Sequence, residues 1–108
     1  MPHPIPQPLA ELIADRFRVL ADPTRLRLLD ELRDGPRSVK ELVEAIGSSQ
    51  QNVSKHLGLL AQHGMVDRRR QGTSAEYSIL DPGVFELCEL VCGGLQQRQA
   101  ALAAALDG

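Results

Sequence analysis

The sequence predicts a mainly α-helical domain with the element order α-α-α-α-β-β-α. Three observations carry this. Apolar residues recur at helical spacing in five segments, the period switches to two between Met65 and Ile79, and Ser, Asp, Pro and Gly mark the joins. A length of 108 residues fits one domain. The apolar fraction of 43% supports a core, and the aromatic fraction of 3% makes that core aliphatic. A chain this short buries a modest share of its surface alone, so a partner subunit would help.

The first eight residues, MPHPIPQP, hold four prolines and are expected to form a flexible or extended arm, leaving residues 9–106 as the domain. Leu9, Leu12, Ile13, Phe17 and Leu20 define the first helix. Asp22-Pro23 reads as an N-cap with proline at the first helical position. The second helix then carries Leu26, Leu29 and Leu32 and stops near Gly35-Pro36. Ser38 with Glu41 three residues on matches a capping box. It opens a third helix striped by Val39, Leu42, Val43 and Ile46 and closed by Gly47. Only Gly47-Ser48-Ser49 separates it from a fourth, Gln50 to His63, ended by Gly64.

Met65–Arg70 and Ala75–Ile79 are short segments flanking a Gln71-Gly72-Thr73 turn, and Ala75, Tyr77 and Ile79 alternate with polar residues, which predicts a β-hairpin. Asp81-Pro82 restarts a helix that runs to about Leu106. Its stripe of Val84, Leu87, Cys88, Val91 and Leu95 is close to a coiled-coil seam. Two helices joined by three residues form a helix-turn-helix, and a hairpin directly after them is a wing.

The fourth helix is divided. Val53, Leu57 and Leu60 recur at packing distance, whereas its front end, from Ser48 to Asn52, is polar throughout. In helix-turn-helix proteins the N-terminal residues of the second helix enter the major groove. Gln50, Gln51 and Asn52 suit adenine edges, and Ser49 and Ser54 suit several bases. Lys55 and the positive helix end suit phosphate. His56 is a candidate for the same role or for a bond within the turn. Arg68, Arg69, Arg70 and Gln71 extend the basic surface into the wing, with two arginines expected to face DNA and one to lie along the body.

The whole chain carries a net charge of −2, yet residues 48–72 sum to +3 and residues 73–108 to −4. Positive charge is therefore concentrated on the predicted reading surface. A solvated polar helix end and a charged edge strand explain each feature singly. Their combination points to double-stranded DNA. A protein-interaction module is the rival reading, separated from it by the salt dependence that phosphate contacts impose.

The segments "FRVLADPTRLRLLDEL" (17–32) and "SVKELVEAIGSSQQNVSKHLGLLAQHGMVDRRRQGTSAEYSI" (38–79), with the long closing helix, resemble the ArsR/SmtB family of winged helix-turn-helix repressors. The resemblance covers nearly all of the chain after residue 10. It implies a homodimer joined through the first and last helices, here Leu12, Val84, Leu87, Cys88, Val91 and Leu95. It also implies operator binding by the fourth helix and wing at a pseudo-palindromic site, and release when an effector binds. One family metal site uses cysteines in the third helix, and another uses Asp and His pairs on the last helix. Here the third helix has no cysteine and the last no histidine, so neither site carries over.

Cys88 and Cys92 remain, four apart on one helix face. They could ligate a soft ion, fill the dimer core as small hydrophobes, or respond to oxidants. A tetrahedral site needs about two further ligands, for which His3, Glu89 or a second cysteine pair across the two-fold are candidates. Zn(II), Ni(II), Cd(II) and As(III) are the candidate ions, and an effector-independent regulator stays open. Pro2 lacks the backbone N–H that an amino-terminal copper or nickel chelate at His3 requires.

A thiol oxidoreductase is not expected, because its usual Cys-x-x-Cys sits at a helix start and this pair is wider and mid-helix. No segment has the length of a membrane span. The start lacks a basic stretch followed by an apolar run, and two cysteines do not make a disulfide scaffold. A cytoplasmic protein is expected.

Overall fold

The computed structural model describes residues 1–107, in the order α1 (Gln7–Leu20), α2 (Pro23–Glu31), β1 (Arg37–Ser38), α3 (Val39–Ile46), α4 (Gln50–Gln62), β2 (Val66–Gln71), β3 (Ser74–Ile79) and α5 (Gly83–Asp107). The five helices and the hairpin follow the sequence pattern. The two-residue strand β1 is an addition. It joins an antiparallel sheet ordered β1-β3-β2, with Arg37 opposite Tyr77 and Ser38 opposite Glu76. Two residues carry no readable period, and only the tertiary pairing makes them a strand.

Boundaries shift for identifiable reasons. Helix α1 starts at Gln7, two residues inside the expected arm, with Pro6 as N-cap and Pro8 in the first turn. The first N–H groups of a helix have no intrahelical acceptor, so proline is tolerated there. Helix α2 ends earlier than expected, capped at Leu32. The hairpin register pairs Gln71 with Ser74, so its loop is Gly72-Thr73. Gly72 supplies the positive φ of +62° that a two-residue hairpin loop requires.

The core lies where α2, α3 and α4 meet the sheet. Leu28, Leu42, Val53, Leu57 and Leu60 are fully excluded from solvent, and Met65, Val66 and Tyr77 close the sheet side. Val84 also enters this core, at 5% exposure. Its expected place on a seam between subunits is therefore corrected: the first turn of α5 packs against α2 within the protomer. Leu87 and Cys88 are half-buried beside it, and beyond them Val91 and Leu95 are exposed.

Two arginines set the helix arrangement. Arg25 of α2, with a side chain 14% exposed, donates from Nε to the Val19 carbonyl at 2.5 Å and from Nη1 to His56 Nδ1 at 3.2 Å. It lies 3.8 Å from Asp22, whose Oδ1 caps α2 by accepting from the Thr24 N–H. Arginine has no acceptor, so His56 Nδ1 must accept and the ring proton sits on Nε2, facing Asp22 at 4.0 Å. One guanidinium thus ties the end of α1 to the middle of α4. Arg16 of α1 bonds Asp81 at 2.6 Å and the His63 carbonyl at 3.2 Å, fixing α1 to the end of α4 and the start of α5. That pair is half exposed, and such pairs contribute little energy. Its role is to set register.

The capping box is formed. Ser38 Oγ accepts from the Glu41 N–H, and the Glu41 carboxylate accepts from the Ser38 N–H, both at 3.1 Å. These bonds from the Ser38 backbone and hydroxyl, with Arg37 nearby, hold the Glu41 carboxyl below its ordinary range.

Leu57→Ala is expected to lower unfolding free energy by about 2–5 kcal/mol, as for other buried leucines, read from urea denaturation. Arg25→Ala should cost about 2 kcal/mol, since hydrogen bonds from a charged donor are lost; an unchanged urea midpoint would contradict the tie. Because the Glu41 pKa is depressed on folding, its stabilising effect is complete above the unfolded value and disappears as pH falls through the lowered one. Glu41→Gln should therefore flatten the acid limb of a plot of melting temperature against pH.

Candidate nucleic-acid interface

Helix α4 has two chemically distinct faces. Val53, Leu57 and Leu60 are each at 0% exposure. On the other side Gln51, Ser54, Lys55 and Gly58 are exposed and recur at positions i, i+3, i+4 and i+7, one continuous stripe. Gln50 is exposed in the first turn. Burial of the apolar face fixes the rotation of the helix about its axis, and that rotation turns the polar stripe outward.

The remaining expected contacts are distributed differently. Ser49 is the N-cap, its Oγ accepting from the Asn52 N–H at 3.1 Å. Asn52 Nδ2 donates to Ser48 Oγ at 2.9 Å, so this amide is partly engaged in the turn. His56 is a correction. Its side chain is 14% exposed and faces Arg25 and Asp22, away from the stripe. The signal was present in the spacing, since His56 stands three after Val53 and four before Leu60, on the buried side.

The wing is formed by β2 and β3. Arg68 and Arg70 oppose Tyr77 and Ala75, whereas Arg69 opposes Glu76 on the other face. Arg69 Nε bonds Asp67 Oδ2 at 3.3 Å. All three arginines and Gln71 are exposed. The acidic neighbours offset the charge of Arg69, so the uncompensated charge of the wing rests on Arg68 and Arg70.

Gly58 was not singled out in the sequence. A Cβ placed there meets nothing within 4 Å, so packing inside the chain does not require glycine. A mid-helix glycine costs about 1 kcal/mol relative to alanine. Its position on the exposed stripe leaves a flat patch suited to close approach by another molecule.

The other expected dimer residues lie on α1 and α5. Leu12, Val91 and Leu95 are 67%, 55% and 58% exposed, and Leu87 and Cys88 are half-buried. Two apolar grooves of about 580 and 490 Å³ run between α1 and α5 and share Phe17, Leu20 and Leu87. Both cysteines are free thiols, and both line the second groove. Among the described residues no group of three or more His, Cys, Asp or Glu side chains is placed to hold a metal. His3 and Glu89 are therefore not brought to the cysteine pair within a protomer. Among the described residues no helix is long and apolar enough to cross a membrane.

A helix-turn-helix domain family model matches residues 20–69. The chain is 49% identical over 74 residues to the "Probable mercury resistance operon repressor" of Streptomyces lividans, a match covering 68% of this chain and 59% of that protein's length. It is similar to the crystal structure of Mycobacterium tuberculosis Rv0081, with a TM-score of 0.78, 36% identity and coverage of 89% of this chain and 97% of that one. It is also similar to the homodimeric winged helix-turn-helix DNA-binding domain of a Mycobacterium bovis protein described as a possible ArsR-family regulator. There the TM-score is 0.72, with 32% identity and 84% of each chain covered. With the exposed stripe, the basic wing and the helix order already established, these likenesses make the chain a member of the ArsR/SmtB family of winged helix-turn-helix transcriptional regulators, a family of DNA-binding proteins and not of enzymes.

Proposed function

We propose that two copies of this chain pair through the apolar face shared by α1 and α5 and bind a pseudo-palindromic duplex operator as a repressor. One α4 and one wing would enter each half-site. The observation that carries this is the split of α4, a polar stripe back to back with a fully buried apolar one, together with the exposed Arg68 and Arg70 of the wing that follows it. Gln50 and Gln51 would read base edges, and Ser54, Lys55 and the wing arginines would hold phosphates. The half-buried Asn52 would contribute through the turn, whereas His56 acts by positioning α4 through Arg25. Gly58 would admit the sugar-phosphate backbone at close range.

Pairing is supported by the uncovered apolar residues on α1 and α5 and by the homodimeric M. bovis neighbour. Two-fold pairing places two recognition helices in successive major grooves. Release by a soft metal or metalloid ion acting on the dimer helices is supported by the two free thiols in the groove and by the name of the Streptomyces relative. Effector and DNA would then oppose one another reciprocally.

Fluorescence anisotropy with the chain's own upstream duplex tests this reading. Affinity should fall steeply with salt, and Arg68→Ala and Arg70→Ala should each reduce the logarithmic salt slope by about 1. Arg69→Ala should change it less. Gln51→Ala should cost about 1–3 kcal/mol on the preferred sequence and relax discrimination. Gly58→Ala should raise the melting temperature while weakening DNA binding. Equal binding of wild type and Gly58→Ala would remove Gly58 from the interface. Leu95→Glu should yield monomers in sedimentation, and an unchanged dimer would refute pairing through α5.

A further inference from the structure

Resting on the repressor reading, we infer that His56 is a proton-sensitive positioning residue: DNA binding requires its ring to be neutral, and a proton taken up there loosens the hold on the operator. The cluster that makes it so lies behind α4. The side chains of Arg25 and His56 are each 14% exposed and that of Asp22 20%. Arg25 Nη1 donates to His56 Nδ1 at 3.2 Å, while its Nε and Nη2 donate to the Val19 and Arg18 carbonyls at the end of α1. Asp22 Oδ2 lies 3.8 Å from Arg25 Nη1 and 4.0 Å from His56 Nε2, and its Oδ1 accepts from the Thr24 N–H.

Protonation turns the acceptor of this cluster into a donor. An imidazolium carries N–H at both nitrogens, and a guanidinium has donors only. Nδ1–H and Nη1–H would then face each other with no acceptor between them. Turning the ring over puts Cδ2 against Arg25, and the bond is lost again. Asp22 does not repair it. It faces Nε2, the opposite edge of the ring, and already serves Arg25 and the cap of α2. Its attraction for the new charge at 4.0 Å is offset by the guanidinium, which stands nearer at 3.2 Å.

The other charged groups around the ring do not change this balance. Helix α1 gives Arg25 carbonyl oxygens, and the Arg18 side chain pairs with Asp15. Lys55, the next residue of α4, is exposed on the polar stripe. Among the described residues Asp22 is the one carboxylate within 4.0 Å of the ring.

The consequence falls on the reading surface. His56 follows Ser54 and Lys55 directly, so its bond to Arg25 holds the part of α4 that carries them. Without that bond the helix can shift along its axis while Val53, Leu57 and Leu60 stay buried, and the chain remains folded. Histidine changes charge between about pH 5 and 8. DNA binding and protonation then oppose one another reciprocally. A histidine beside a phosphate behaves in the opposite way, since the phosphate favours its proton and acid tightens binding.

The test measures anisotropy with the upstream duplex at constant salt from about pH 7.5 down to 5.5. Wild-type affinity should fall by about tenfold or more over that range, with the far-ultraviolet circular dichroism unchanged. His56→Asn, whose amide oxygen takes the place of Nδ1 as acceptor, should give a flat profile. His3→Gln and His63→Gln should keep the wild-type slope. Without DNA, imidazole nitrogen shifts of the isotope-labelled chain should show His56 neutral with its proton on Nε2 at the upper pH. Amide shifts of Ser54 to Gly58 should follow its protonation with the same midpoint. Wild-type binding that tightens or stays level on acidification, or an acid loss undiminished in His56→Asn, would overturn the inference. A chain that shows the ring transition and the α4 shifts yet binds its upstream DNA at no pH would refute the repressor reading and leave the proton-sensitive tie standing.

Discussion

The burial of Val53, Leu57 and Leu60 is the constraint on which the rest of the molecule depends. These three side chains are removed from water against α2, α3 and the sheet. Burying a leucine-sized side chain contributes about 1.5–3 kcal/mol, so α4 cannot roll about its axis without exposing two or three of them. One rotation therefore satisfies the core, and that rotation leaves Gln51, Ser54, Lys55 and Gly58 outside. Function is a consequence of packing here: the polar stripe is aimed by the residues behind it.

Hydrophobic packing fixes the rotation of α4 but gives little control over its position along its own axis. That control comes from polar ties. Ser49 caps its front, and His56 accepts from Arg25, which also holds the last carbonyls of α1. At the other end Arg16 donates to both the His63 carbonyl and the Asp81 carboxylate. Helix α1 is thus attached to the middle and the end of α4 by guanidinium groups while much of its own apolar stripe stays uncovered. Any partner that covers α1 and α5 presses on the same ties.

The sequence made visible whatever repeats or punctuates. Five helices were legible from apolar spacing, α3 from its capping box and the hairpin from alternation around Gly72. The exposed Gln50, Gln51, Ser54 and Lys55 were legible because their polarity contrasts with the stripe behind them. What escaped was set by tertiary pairing. Strand β1 is two residues long and exists because β3 lies beside it. Asn52 and His56 are polar residues on flanks of the helix that turn inward, and residue type alone aligned them with the outward face. Val84 fits a seam pattern equally well whether the seam lies between subunits or against α2. Arg25 is one of four arginines in α1 and α2, and only the tertiary packing shows which one is drawn inside. The wing arginines illustrate the same limit: strand alternation predicts two faces, and the positions of Asp67 and Glu76 decide which face keeps its charge.

Amide chemical-shift mapping on the labelled chain, titrated with a duplex carrying its upstream sequence, tests the central claim most directly. The account predicts that the largest perturbations fall on Gln50, Gln51, Ser54, Lys55, Gly58 and the wing from Arg68 to Gly72, with α1 and the exposed half of α5 little changed. Perturbations concentrated on Leu12, Phe17, Val91 and Leu95, with the front of α4 silent, would contradict it.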